Sequence, residues 1–157
     1  MFSCNLAALR SGVAAILFVS FISIGYTATY NPTPATPQER EATAQKFVAQ
    51  RLQIWQDRLD LKDWKLQVRL LRTSQLEPKT MGNINWDTDL KEATIGVLSS
   101  YDYQLPWKEM LDDMEFTVVH ELVHLHLASL PRSEASRRNE EHAVNELARA
   151  LLNLARH

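Results

Sequence analysis

The residues with the clearest chemical potential lie in one apolar stretch, His120-Glu121-Leu122-Val123-His124. Residues four apart on an α-helix lie one above the other on the same face, so two imidazoles can reach one ion. Histidine with carboxylate is a donor set that suits zinc, and a catalytic zinc site keeps one position open for water. The spacing therefore predicts a Zn²⁺ site built on His120 and His124, beside which Glu121 accepts a proton from the bound water.

The alternative is a helix whose polar residues only face solvent. His120 and His124 share a helical face with Phe116 and Leu127, and an apolar face is normally turned towards a core. His126 follows two positions after His124, on the far side of the helix, so we expect no ligand role for it. The metal site is the better explanation of this stretch.

A catalytic zinc site takes three protein ligands, so a third ligand is needed. Residues 139–146 read NEEHAVNE and open a predicted helix, where acidic side chains otherwise serve the helix dipole. Glu141 lies on the same side as Val144, towards the predicted core, and Asn145 one turn later is placed to orient a ligating carboxylate. We favour Glu141 as the third ligand, and Glu140 remains the alternate.

The elements that position these residues follow from the apolar periodicity. Their order is a helix, a small antiparallel sheet, the helix with both histidines, and a C-terminal helix, which predicts an α+β fold. The predicted helices cover residues 38–59, 107 to about 130 and about 139–155, the strands cover 64–71, 81–86 and 93–98, and 132–138 form a loop.

The first 29 residues differ from the rest of the chain. Arg10 precedes an apolar run over 12–25, a pattern typical of a secretory signal peptide. An uncleaved N-terminal membrane anchor is the alternative, because about 20 apolar residues suffice to cross a bilayer. A Pro/Thr-rich linker follows over 30–38, and the folded domain is predicted over 39–157. We expect this domain to be exported, in the periplasm or secreted.

Charge and cysteine usage narrow the possible partners. The chain has 157 residues and a net charge of −2; without segment 1–29 it keeps 16 basic and 19 acidic residues, a net charge of −3. This balance is too mild to suggest nucleic acid as a partner. The only cysteine, Cys4, belongs to the same segment, so a metal site in the domain must use histidine and carboxylate.

The two motifs together resemble the gluzincin clan of HExxH zinc metallopeptidases. The resemblance is strongest to its compact members, in which a short loop separates HExxH from a second helix that carries a glutamate. The matching residues are 120–124 and 140–148, and the resemblance extends over about residues 60–155. It implies a minimal zincin-like fold, zinc bound by both histidines and the later glutamate, and Glu121 as the general base.

The resemblance also implies a peptide or protein substrate. In the clan, a strand before the active-site helix pairs with an extended substrate, which points to Met81–Trp86 or Ala93–Val97 here. Larger members of the clan stabilise the oxyanion with a Tyr, His or Arg after the last zinc ligand. That residue is left open here among Arg149, Arg156 and His157, with Tyr101 and Tyr103 of the loop before the helix as alternatives. The competing hypothesis is a non-catalytic exported peptide-binding module in which a structural zinc holds two helices together.

Overall fold

Three α-helices and three β-strands follow one another in the predicted order, and the α+β class is confirmed. The computed structural model describes residue 34, residues 36–129 and residues 134–156, without the side chains of 134–138. The predicted signal or anchor segment 1–29 and much of the linker lie outside the described residues. The elements are α1 (Pro37–Arg58), β1 (Lys65–Leu71), β2 (Gly82–Asp87), β3 (Glu92–Leu98), α2 (Trp107–His126) and α3 (Glu134–Ala155), with a 3₁₀ turn over Thr73–Gln75.

Helix α1 begins with a reciprocal cap inside the predicted linker. The Glu39 N–H donates to Thr36 Oγ1 at 3.1 Å, and the Thr36 N–H donates to the Glu39 carboxylate at 3.0 Å. Pro37 takes the first helical position, where its missing N–H costs nothing. The buried side of the helix is made by Ala44, Val48, Leu52 and Trp55, at helical spacing.

The sheet has the strand order β1-β3-β2 and is mixed. Strands β2 and β3 form the predicted antiparallel hairpin, whereas β1 runs parallel to β3, which differs from the wholly antiparallel sheet that we predicted. The cause is the connection over 72–81, which leaves a gap the width of one strand between β1 and β2. Strand β3 then turns back from β2 and fills this gap. Because β3 is paired on both sides, it has no edge to offer, and Ala93–Val97 is excluded as a substrate-binding edge.

The two edges of the sheet differ in whether their main-chain groups are covered. Gln45 of α1 covers the β1 edge: its Nε2 donates to the Val68 carbonyl at 3.2 Å, and the Leu70 N–H donates to its Oε1 at 3.3 Å. The carboxamide thereby occupies the position that a neighbouring peptide group would take. Among the described residues, no strand pairs with the outer edge of β2.

Helix α2 lies at the centre of the molecule. It packs against α1, α3, β2 and β3, which explains why its sequence is apolar on nearly every side. The buried Glu115 on this helix accepts the Trp55 indole N–H at 2.9 Å and lies 3.5 Å from Arg51. None of the described helices is both long and apolar enough to span a membrane.

Helix α3 begins earlier than the sequence pattern suggested. We predicted a loop over 132–138, but the helix starts at Glu134. The apolar periodicity begins only where α3 meets the core, at Val144. Residues 134–138 contain no Gly or Pro and are mostly strong helix formers, so the helix extends beyond its packed part.

Candidate metal centre

The structure brings His120, His124 and Glu141 together at the junction of α2 and α3. One ligand atom from each residue lies within 4.8 Å of the others. The two Nε2 atoms of the histidines are 3.1 Å apart, and the Glu141 carboxylate oxygens lie 3.5 Å from His120 Nε2 and 3.3 Å from His124 Nε2. The predicted set of three therefore has the geometry of a potential ligand set.

These separations fit one small ion. Bonds of about 2.0–2.1 Å in a tetrahedron place neighbouring ligand atoms roughly 3.3 Å apart. The two Nε2 atoms lie 3.1 Å apart, and each imidazole has one Glu141 oxygen at 3.3–3.5 Å, a different oxygen for each ring. Burial, and next the adjacent His124, lower the pKa of His120, so its imidazole is neutral at neutral pH. A neutral imidazole is the form that binds a metal. The donor set of two nitrogens and one carboxylate thus fits zinc.

Glu140 and Glu141 take different places at this centre. Glu140 Oε1 lies 3.1 Å from His124 Nδ1, on the side of the ring that faces away from the cluster, and its side chain is only 16% exposed. The Glu141 side chain is 52% exposed and reaches the cluster from the solvent side. We predicted that Glu141 faces the core, and this is wrong because Glu140 is the more buried of the two. The Glu141 carboxylate is nevertheless the one that lies at the cluster.

Two further polar groups near the cluster are the Asn145 side chain and the Nδ1 atom of His120. Asn145 Nδ2 donates to the Glu141 main-chain carbonyl at 2.8 Å, not to the carboxylate as we expected. Burial is the largest influence on the pKa of His120 and lowers it, whereas the nearby Asn145 side chain acts in the opposite direction. The Nδ1 atom of His120 is buried and has no hydrogen-bond partner among the described residues.

Glu121 is buried beside the cluster, at 7% exposure. Burial, and next the negative charge of Glu141, raise the pKa of Glu121 to about 8. A carboxylate whose pKa lies near neutrality is suited to accept and return a proton. Its Oε1 also lies close to Gly82 of β2, a contact that the sequence did not predict, although a glycine within a strand often marks a close approach.

Two tyrosines and two further histidines of the described residues do not join this cluster. Tyr103 is buried, and its hydroxyl donates to Asp113 Oδ2 at 2.8 Å; burial raises its pKa far above the usual range. Tyr101 is 44% exposed. His126 and His142 are both exposed.

Arg149 is the remaining candidate near the centre. Its guanidinium lies 5.7 Å from the Phe116 ring centroid, and that ring lies 6.0 Å from the His120 ring. Its Nη1 also pairs with Glu146 at 2.7 Å. Phe116 and Arg149 line one end of a cavity of about 430 Å³ between α2 and α3. The cavity therefore begins at Phe116, next to the His120 ring, and none of the three cluster residues lines it.

Comparison with known proteins gives no match: no family model, no curated sequence and no solved structure is significantly similar to this chain. Any function of this chain must therefore be inferred from its residues and their geometry.

Proposed function

We propose that this chain is a zinc-dependent metallopeptidase that hydrolyses peptide bonds. The observation that supports the proposal most is the convergence of His120, His124 and Glu141 on one point, with the buried Glu121 beside them. Two histidines four residues apart on a core helix have little other reason to turn their Nε2 atoms towards each other at 3.1 Å.

Each residue of the centre has a distinct task in this proposal. His120, His124 and Glu141 would hold the ion, which would supply Lewis acidity to the substrate carbonyl and to a water. Glu121 would accept a proton from the attacking water on its carboxylate and return it to the leaving amine. The burial of Glu121 supports this role, because it keeps bulk water from competing for the proton.

An extended peptide is the substrate class that the surroundings favour. Strand β2 contacts α2 and has an outer edge that no described strand pairs with. Main-chain hydrogen bonds to such an edge hold a peptide with little sequence preference. The other edge is closed by Gln45, so β2 is the edge that we assign to substrate.

The non-catalytic module with a structural zinc is the second candidate. A structural zinc site is closed by four protein ligands, whereas a catalytic site has three and keeps a position for water. Within the described ranges the cluster has three members, and the buried Glu121, next to His120 in the chain, is not one of them. This count favours the catalytic function.

Zinc content and peptide hydrolysis test the proposal together. We expect one zinc per chain in the parent and cleavage of a mixed decapeptide library, followed by mass spectrometry. Glu121→Gln should keep zinc and lose about 10²–10⁴-fold in rate, the usual contribution of a general base. Glu141→Ala should lose zinc, and His142→Ala, an exposed neighbour on the same helix, should change neither property.

The outcomes separate the two candidates. Hydrolysis by Glu121→Gln at the parent rate would exclude the proposed mechanism. Stoichiometric zinc in a parent that cleaves no peptide of the library would favour the binding module. A parent that neither retains nor takes up zinc would exclude both.

A further inference from the structure

The sheet comes close to Glu121, the residue beside the proposed metal centre, at Gly82. A Cβ atom built on this glycine would collide with Thr117 Cγ2 of α2, lie 2.7 Å from the Gly96 carbonyl oxygen and lie 3.3 Å from Glu121 Oε1. Two of these neighbours belong to the helix that carries the histidines, and the third is main chain of β3. No side chain fits at this point without moving β2 away from α2 or from β3.

The main chain of Gly82 faces the outer edge of β2. The Leu98 N–H donates to the Met81 carbonyl at 2.8 Å, so Met81 turns its polar groups towards β3. Main-chain groups alternate in direction along an antiparallel strand, and therefore Gly82 and Ile84 turn theirs to the outer edge. A peptide paired with Gly82 would run directly beside the Glu121 carboxylate.

We propose that Gly82 is a positioning residue for substrate. Its missing side chain lets the β2 edge lie against Glu121, and this contact fixes the register in which an edge-bound peptide presents its carbonyl to the metal centre. The inference rests on the proposed function, because it assigns the substrate-holding atoms, the N–H and C=O of Gly82, within the same site.

Gly96 provides a matched control on the neighbouring strand. The three atoms nearest to a Cβ built there all belong to the side chains of Leu71 and Asn83 and none to main chain, and these side chains can change rotamer. Gly96 and Asn83 are register partners whose side-chain positions lie on the face of the sheet that turns away from the metal centre. Gly96→Ala therefore tests the cost of an added methyl group in the sheet without a change at the cleft.

The experiment compares two zinc chelators that require no hydrolysis. Acetohydroxamate reports the metal centre alone, and the hydroxamate of N-acetyl-trialanine reports the centre and the edge together. In the zinc-loaded parent we expect the peptide hydroxamate to bind about tenfold more tightly, which corresponds to two net main-chain hydrogen bonds. Gly82→Ala should remove most of this gain and leave acetohydroxamate affinity unchanged, and Gly96→Ala should retain both affinities.

A double variant and a modified probe address the folding of Gly82→Ala. Thr117→Ser deletes the colliding Cγ2 and keeps the hydroxyl that donates to the Asp113 carbonyl at 3.0 Å, so Gly82→Ala/Thr117→Ser should regain part of the lost affinity. N-methylation of alternate peptide nitrogens in the probe should abolish the gain in the parent itself, whether or not a variant folds.

Several results would overturn the inference. It fails if the peptide hydroxamate gains nothing over acetohydroxamate in the parent, or if N-methylation has no effect. It also fails if Gly82→Ala and Gly96→Ala lower the gain equally. In those cases acetohydroxamate binding would still support the metal centre, whereas a zinc-loaded parent that binds neither chelator would reject the proposed function as well.

Discussion

Glu140 and Glu141 are neighbours in sequence, yet their carboxylates meet opposite nitrogens of the same ring. Glu141 lies 3.3 Å from His124 Nε2, and Glu140 lies 3.1 Å from His124 Nδ1. A carboxylate on Nδ1 holds the proton there and leaves the lone pair of Nε2 for an ion. In the proposed centre the two adjacent residues would thus have different roles: Glu141 would bind the ion, and Glu140 would orient the His124 ring.

Replacement of Glu140 should weaken zinc binding without removing the ligand set. We expect Glu140→Gln to lower zinc affinity about 10–100-fold, as partners of ligating histidines generally do, in a competition titration with a chromophoric chelator. Glu146→Gln is the control, because this carboxylate lies on the same helix and pairs only with Arg149 among the described residues. Parent-like affinity of Glu140→Gln would contradict the orienting role, and zinc loss in Glu140→Ala but not in Glu141→Ala would exchange the two assignments.

The site residues were predictable from sequence to different degrees. His120, Glu121 and His124 follow from spacing alone, because one helical turn fixes their common face. The choice between Glu140 and Glu141 depends on how α3 docks on α2, and a 100° step per residue places both near the interface. The contact of Gly82 with Glu121 depends on packing between a strand and a helix, which no local pattern encodes.

Strand β1 shows how a single side chain of a helix can complete a sheet. Gln45 binds Val68 and Leu70 with both ends of its carboxamide. Without it, two main-chain groups of a partly buried strand would be left to solvent or to another chain.

Replacement of Gln45 should therefore open this edge. We expect Gln45→Leu to lower the free energy of unfolding by about 1–3 kcal/mol, since two net hydrogen bonds are lost, and to speed hydrogen exchange at the Leu70 amide. Gln50→Leu, an exposed glutamine on the same helix, serves as the control in denaturant titrations. Unchanged exchange at Leu70 would show that the edge is closed by something else.

The connection between the sheet and α2 carries a pH-dependent contact. The Arg72 guanidinium and the Thr73 N–H both bind the Asp102 carboxylate, which holds the pKa of Asp102 well below its usual range. A carboxylate with a lowered folded-state pKa stabilises the fold above its unfolded pKa, near 4, and this contribution is lost as pH falls towards the folded value.

Asp102→Asn tests this linkage. We expect the variant to be less stable than the parent at pH 7, and the difference to shrink steadily as pH falls below about 4. Urea unfolding at several pH values measures this difference in stability. Asp60→Asn is the control, because Asp60 forms no ion pair with another described residue. A difference that stays constant down to pH 2 would contradict the assignment.

At the scale of secondary-structure elements, the apolar periodicity predicted which elements form but not how the strands are arranged in the sheet. The three helices and three strands lie where the apolar patterns place them, but the parallel partner of β1 and the early start of α3 do not follow from those patterns. Strand direction is set by where a connection crosses the sheet, and the start of α3 by helix propensity beyond the core. Neither leaves a periodic signal in the sequence.

At the scale of the whole molecule, the proposed metal centre would also connect two helices. Two of its residues lie on α2 and the third on α3, so a bound ion would add a link to the packing and the His124–Glu140 contact that already join these helices. Anything that binds the folded state but not the unfolded one raises stability, by about 4 kcal/mol at a thousandfold excess over its dissociation constant.

Removal of metal should accordingly lower thermal stability. We expect the parent to melt at a lower temperature after dialysis against a chelator and to recover on addition of zinc. Glu141→Ala should melt at one temperature under both conditions, because its ligand set is incomplete. Equal melting of the parent with and without zinc would contradict a link between the helices.

The unequal edges of the sheet limit how the molecule can associate with copies of itself. Growth of a fibre by strand pairing needs two accessible edges on every subunit, and Gln45 leaves this sheet with one. Strand-mediated association would therefore stop at a pair joined through β2. Each member of such a pair would cover the β2 edge that we propose for a peptide, so self-association would compete with peptide binding and would end at a dimer.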